Sequence, residues 1–171
     1  FRAGRRQEAI EKAKASVAEN PPSFVPYIEL ADFFVTWDVP DEAKKALDAA
    51  TAKFRQRFCE EAIGVYEVKK LVRAEVFTGG FENAFEELSA LRIFLLENLK
   101  KDDCVRKELL NQSLESINNA LSLYLPRHLL DYGTSEDFRI MSDKILNWAK
   151  AEDSNEVLSL CLNFASEARL S

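Results

Sequence analysis

The chain has 171 residues, 47% of them hydrophobic, with a formal net charge of −6 and a sequence pI near 5.0. That length suffices for one well-packed core and falls short of two, and the acidic balance argues against a general polyanion binder, which needs a basic face. Only five glycines and five prolines punctuate a chain rich in Ala, Leu, Glu and Lys, so the expectation is a single all-α domain spanning 1–171.

In chain order, the first predicted element is a helix from Arg6 to Asn20; Arg2, Arg5 and Arg6, clustered at the amino terminus, read as a solvated, partly disordered flank. Next, Tyr27, Leu30, Ala31 and Phe34 form one helical stripe. Ala43, Leu47 and Ala50 form the stripe of the following helix, and the small residues Ala31, Ala43 and Ala50 let the two helices approach closely. Pro40 suits a first helical turn, where a missing N–H is no loss, and Asp41 and Glu42 suit the positive end of the helix dipole. The segments around Ala9 and Ala43 align over a spacing of 34 residues, placing Ala15 over Ala49 and Ala18 over Ala52; that is a repeat period.

These residues resemble the tetratricopeptide repeat family, whose pattern is large, Leu, small, aromatic on helix A and Ala, large, Ala on helix B. Phe24 to Arg57 carries the resemblance through Tyr27, Leu30, Ala31, Phe34, Ala43, Leu47 and Ala50, with Arg55 where the family has its closing proline. Arg6 to Asn20 is a preceding helix B, closed by Pro21. The chain therefore begins half-way through a repeat and is expected to be a piece of a longer protein. The resemblance implies an antiparallel helix-pair solenoid of about eight helices.

Val65 to Asn98 fits a degenerate unit, with Val68, Leu71 and Val72 on helix A and Ala84, Leu88 and Leu91 on helix B. Its aromatic position is Glu75, and about seven extra residues, Phe58 to Gly64, precede it. Thr78-Gly79-Gly80 predicts a helix stop between Phe77 and Phe81. From Cys104 to Leu125, Leu110, Leu114, Ile117, Leu121 and Tyr124 recur at three- and four-residue intervals, predicting an amphipathic helix ended by Pro126. Leu129 to Thr134 predicts a turn-rich link, and Thr134-Ser135-Glu136-Asp137 a helix start. A last degenerate unit, Phe138 to Ser171, offers Met141, Ile145 and Trp148, then Val157, Cys161 and Phe164 after a break at Glu152-Asp153-Ser154.

Chemistry-bearing motifs are sparse. His128 is the only histidine, so triad or Cys/His catalysis would have to run through one residue at a helix exit, and no partner orients it. The adjacent pairs Glu60-Glu61 and Glu86-Glu87 point about 100° apart on a helix and cannot converge on one atom. No paired Glu-x-x-His motif suggests a di-metal site, and Thr78-Gly79-Gly80 is too short for a phosphate-cradling loop. Catalytic, cofactor-binding and metal-binding residues are therefore not expected. Cys59, Cys104 and Cys161 are odd in number and lack CxxC spacing, which suggests small apolar residues in a reduced compartment rather than a disulfide framework or a zinc site. No run is apolar enough for a membrane span, and no signal-peptide core opens the chain. An intracellular, cytoplasmic protein without direct nucleic-acid or membrane contact is expected.

Function then rests on a surface. By resemblance, the helix A residues of a solenoid line a concave face. In the best repeat that gives Val25, Ile28, Asp32, Val35 and Thr36; in the next, Tyr66, Lys69, Arg73, Val76 and Phe77. Tyr and Arg often carry interface energy, so Tyr66, Lys69, Arg73 and Phe77, with Val25, Ile28 and Asp32, are the candidate partner-binding residues. The Lys/Asn clamp that some family members use for an acidic carboxy-terminal peptide would fall on Val25 and Asp32, so it is missing. An apolar or amphipathic helix with an acidic flank is the expected partner. Other readings are a half-a-tetratricopeptide scaffold of an RNA-processing complex, through Tyr27-Ile28, Ala31, Phe33 and Ala43-Lys44, and a regulatory helical domain of an enzyme whose catalytic residues lie elsewhere.

Overall fold

A computed structural model describes residues 2–101, 104–151 and 154–169, apart from the side chains of residues 2–4. Glu152-Asp153 of the expected last break, the end of the last expected unit and the Arg2 side chain lie outside the described residues. The elements are α1 (Arg2–Ala15), α2 (Val25–Thr36), α3 (Pro40–Arg57), α4 (Val65–Lys100), α5 (Lys107–Asn119), a π-helical segment (Ala120–Tyr124), α6 (Leu125–Tyr132), α7 (Ser135–Ala151) and α8 (Asn155–Glu167). Among the described residues there is no strand. The all-α expectation holds, while the helix order departs from the expected one at Pro126.

The α2–α3 hairpin forms as its pattern requires. Pro40 opens α3, Asp41 and Glu42 occupy its first turn, and Arg55 and Arg57 its last, all favourable to the helix dipole. Ala31 and Ala43 are both 0% exposed, and Leu30, Phe34, Leu47 and Ala50 are buried beside them. Phe24 closes the base of the hairpin edge-on against Phe54, ring centroids 5.4 Å apart. Arg6 is not a free flank: its guanidinium donates to the carbonyls of Trp37 at 2.5 Å and Asp38 at 3.2 Å. It thereby ties α1 to the α2–α3 turn, where Asp38 has a φ of 55°.

α4 bends back on itself at Gly80, where a stop between two helices was expected. Gly80 has φ 79° and ψ 178°, a conformation open to glycine at little steric cost. Asn83 Nδ2 lies 3.4 Å from Glu75 Oε2, although eight residues of continuous helix would separate them by about 12 Å. The expected stop at Thr78-Gly79-Gly80 is thus a sharp turn between a first arm (65–79) and a second arm (81–100). Thr78 Oγ1 donates back to the Ala74 carbonyl at 2.9 Å, holding the threonine side chain against its own helix just before the turn.

The departure is at Pro126, which does not end a helix. The chain runs from α5 through the π-helical segment into α6, with Pro126 in the first turn of α6. In a regular helix the proline ring would meet the carbonyl four residues back, at Ser122. The wider turn relieves this: the Leu125 N–H reaches five residues back to the Ala120 carbonyl. Leu129 to Tyr132, expected as a link, is therefore helical. The real link is Gly133-Thr134, where a Cβ on Gly133 would sit 2.5 Å from the Leu129 carbonyl oxygen. Thr134 and Asp137 then form a reciprocal cap, the Asp137 N–H donating to Thr134 Oγ1 at 3.2 Å and the Thr134 N–H to Asp137 Oδ2 at 2.8 Å.

The extra residues before α4 form an anchored strap. Ile63 is buried, and its N–H donates to Ser113 Oγ of α5 at 3.0 Å. Cys59 forms a disulfide with Cys104, the Cα atoms 5.5 Å apart. This corrects the expectation that the cysteines stand apart as reduced apolar residues. Their separation of 45 residues carries no motif, because it is the folding back of α4 that brings its two ends together. Beyond the strap, Arg92 is 3% exposed and links three helices: Nε donates to Asn118 Oδ1 at 3.0 Å, and Nη2 lies 3.1 Å from Glu156 Oε1.

Candidate functional site

The first arm of α4 carries two different faces. Val68, Leu71 and Val72 are buried, while Lys69, Arg73, Val76 and Phe77 recur at helical spacing on an adjoining face that α6 only partly covers. Between that face and α6 lies an open cleft of about 640 Å³, floored by Val35, Val72, Val76 and Phe77 and walled by Tyr124, Arg127, His128, Asp131 and Tyr132. The π-helical segment and the passage through Pro126 carry the α5 rod onward, so that it supplies the second wall.

The cations are held in different ways. Lys69 Nζ sits 4.9 Å from the Tyr124 ring centroid, and among the described residues no carboxylate pairs with it. Arg73 donates to Asp32 Oδ1 at 2.8 Å and to Thr36 Oγ1 at 3.3 Å, joining the first arm to α2. Arg127 pairs with Glu167 of α8 at 2.9 Å. Three cations against the single carboxylate of Asp131 line this cleft, in a chain whose formal charge is −6. His128 stacks near Tyr132, centroids 4.6 Å apart, and lies 6.0 Å from Phe81 of the second arm. Burial lowers its pKa, Asp131 opposes that effect and Arg73 reinforces it, which favours the neutral imidazole.

Of the residues expected from sequence, Lys69, Arg73 and Phe77 meet in this cleft, with Val35 and Val76. Asp32 reaches it only as the partner of Arg73. Ile28 is corrected: at 2% exposed it is a core residue, because its side of α2 faces inward to the packed helices. Val25 packs partly buried against the core and does not line the cleft. Tyr66 is 65% exposed and also lies outside the cleft lining, its ring 4.1 Å from Lys70 Nζ. Tyr124, Arg127, His128, Asp131 and Tyr132 were missed. Their only sequence signal was the helical periodicity up to Tyr124, and the expected helix end at Pro126 cut it off.

Comparison with family models, with curated proteins and with solved structures finds no match. Among the described residues, no group of three or more His, Cys, Asp or Glu could hold a metal ion, and no helix is long and apolar enough to cross a membrane.

Proposed function

We propose that the chain is a tetratricopeptide-like interaction domain, an antiparallel helix-pair solenoid that serves as a scaffold or adaptor and performs no chemistry itself. The observation that carries the docking reading is the convergence of Lys69, Arg73 and Phe77 with Tyr124, His128 and Tyr132 in one open cleft. Its volume is in the range of pockets that take small ligands or several side chains. Its apolar floor and aromatic walls suit the apolar face of an amphipathic helix, and Lys69 and Arg73 suit an acidic flank through charge-assisted hydrogen bonds. The close packing of α2 on α3, the folding back of α4 and the packing of α7 on α8 support the paired-helix arrangement.

The test is a selection of peptides from a random displayed library on the folded chain, followed by affinity measurements on variants. Selected peptides should combine carboxylates with apolar residues. Arg73→Ala combined with Tyr124→Ala should weaken binding by at least about 2 kcal/mol, roughly thirtyfold, whereas Tyr66→Ala, outside the cleft, should change it little. Unchanged affinity in the Arg73/Tyr124 double variant, with its helical signal and melting curve retained, overturns the assignment of this cleft.

A further inference from the structure

Of the charged groups that line the cleft, two are not used by the fold. Arg73 is engaged by Asp32 and Arg127 by Glu167. Lys69 pairs with no carboxylate among the described residues; the Tyr124 ring, 4.9 Å from Nζ, holds the ammonium by its face and leaves its N–H donors open. Asp131, exposed on the opposite wall, has no hydrogen bond or ion pair among the described residues. His128, one turn before it, is held toward its neutral form by burial.

Neither charge helps the helix that carries it. Lys69 lies one turn from Arg73, a like charge that disfavours the helix. Asp131 lies near the end of α6, at the negative pole of the helix dipole, where a carboxylate is unfavourable and a lysine would be favourable. Two charges placed against local preference, unpaired and facing one open cleft, point to a partner rather than to the fold. Their separation follows from the walls. Lys69 lies over Tyr124, and one turn further along each wall Arg73 acts on His128, so the first arm and α6 run side by side. Asp131 is seven residues beyond Tyr124, on the same side of its helix and about 10 Å along it. The cleft thus has a cationic end at Lys69 and an anionic end at Asp131, with the apolar floor of Val35, Val72, Val76 and Phe77 between them.

We infer that the cleft reads the charge order of its partner: an amphipathic protein helix lying along it, with a carboxylate at the Lys69 end, a lysine or arginine at the Asp131 end about two turns away, and an apolar stripe between. The inference rests on the docking reading and adds to its acidic flank a basic residue and a spacing. Each end attracts one sign and repels the other, so a helix with only acidic residues beside its stripe gains at Lys69 and meets repulsion at Asp131.

The probe is a displayed library of helical peptides about 18 residues long, with a fixed apolar stripe and the positions beside it randomised among Glu, Gln and Lys, selected on the full chain. Binders should carry a Glu and a Lys about seven positions apart. Selection on Asp131→Lys should replace that Lys by Glu. Selection on Glu115→Lys, the same change of net charge at an exposed α5 residue outside the cleft lining, should give the parent's pattern. An unchanged pattern on Asp131→Lys overturns the inference.

Affinities then measure each end separately. For a binder from the parent, changing its Lys to Gln should weaken binding to the parent about fivefold, as for a partly exposed ion pair, and to Asp131→Asn not at all. The peptide's Glu changed to Gln, with Lys69→Gln, gives the parallel cycle at the other end. Equal losses on parent and variant count against the assignment of that end. Asp131→Asn removes a charge unfavourable to α6, so its helical signal should be retained. Failure of the docking reading looks different. If Arg73→Ala with Tyr124→Ala leaves affinity unchanged, the peptides bind elsewhere and both readings fall; if that double variant loses affinity while the peptides ignore Asp131, docking stands and the charge order is refuted.

Discussion

The α2–α3 hairpin and the α5–α6 rod use the same helical periodicity with different results. The hairpin sets alanines at 31, 43 and 50 along its seam, all buried with Leu47 and Phe34, so two regular helices pack without distortion. The rod buries Leu110, Ile117 and Leu121, but also Ser113, Ser116 and Ser122, and it contains a wide turn before Pro126. Ser113 uses its position to receive the Ile63 N–H, and Ser122 Oγ returns a hydrogen bond to the Asn118 carbonyl at 2.8 Å. A regular seam serves stability, whereas the irregular rod holds a strap and turns Tyr124, Arg127 and His128 toward the cleft. α4 joins the two regions: its first arm binds α2 through Arg73 and Asp32 and meets the rod at Tyr124 through Lys69, and its second arm meets α3 where Arg55 lies over Phe94 and α5 through Arg92 and Asn118.

The comparison breaks most readily at Phe54. Its removal by Phe54→Ala should cost about 3–5 kcal/mol, read as a lowered denaturation midpoint. In a Trp37→Phe background, Trp148, edge-on to Phe85 of the second arm with ring centroids 5.3 Å apart, reports the far region. If hairpin and rod form one cooperative unit, the Trp148 transition should move with the helical signal; an unmoved Trp148 transition would mean that they unfold separately.

At the junction, the folded chain holds a proton on Glu75 up to about pH 7, which the unfolded chain releases near an ordinary carboxylate pKa. The folded state binds more protons across that window, so stability is greatest below it and falls as pH rises through it. Urea denaturation at pH 5 and pH 8 should give the parent a loss on the order of 2–3 kcal/mol relative to Glu75→Gln. Parallel behaviour of the two chains would remove Glu75 as the cause.

Within the hairpin, Ala43→Leu should overpack the seam and cost about 1–3 kcal/mol. An unchanged midpoint would mean that α2 and α3 do not approach as closely as their buried alanines imply. The smallest effect is expected in the rod. Pro126→Ala adds a backbone donor but frees the unfolded chain, two contributions of about 1 kcal/mol or less and opposite sign, so the net change should stay under about 1 kcal/mol. A gain near 3 kcal/mol, the usual cost of proline inside a regular helix, would show that the wide turn does not accommodate the ring.

The amino-acid sequence by itself determined the helices and most of their faces. Apolar spacing, Pro40 at a first turn, the Thr134 to Asp137 cap and the glycines at 79 and 80 act over a few residues, and local sterics and hydrogen bonding suffice to read them. It also placed Lys69, Arg73 and Phe77 on one helical face, because residues three and four apart share a side. Only the tertiary structure decided what that face meets. The second wall of the cleft depends on a helix that survives Pro126 by widening one turn, and the exclusion of Ile28 depends on which side of α2 the other helices cover. The Cys59–Cys104 bond and the burial of Glu75 depend on the folding back of α4, which joins residues far apart in the chain. Such long-range proximity leaves no periodicity behind, and burial rather than residue type sets the charge state that Glu75 adopts.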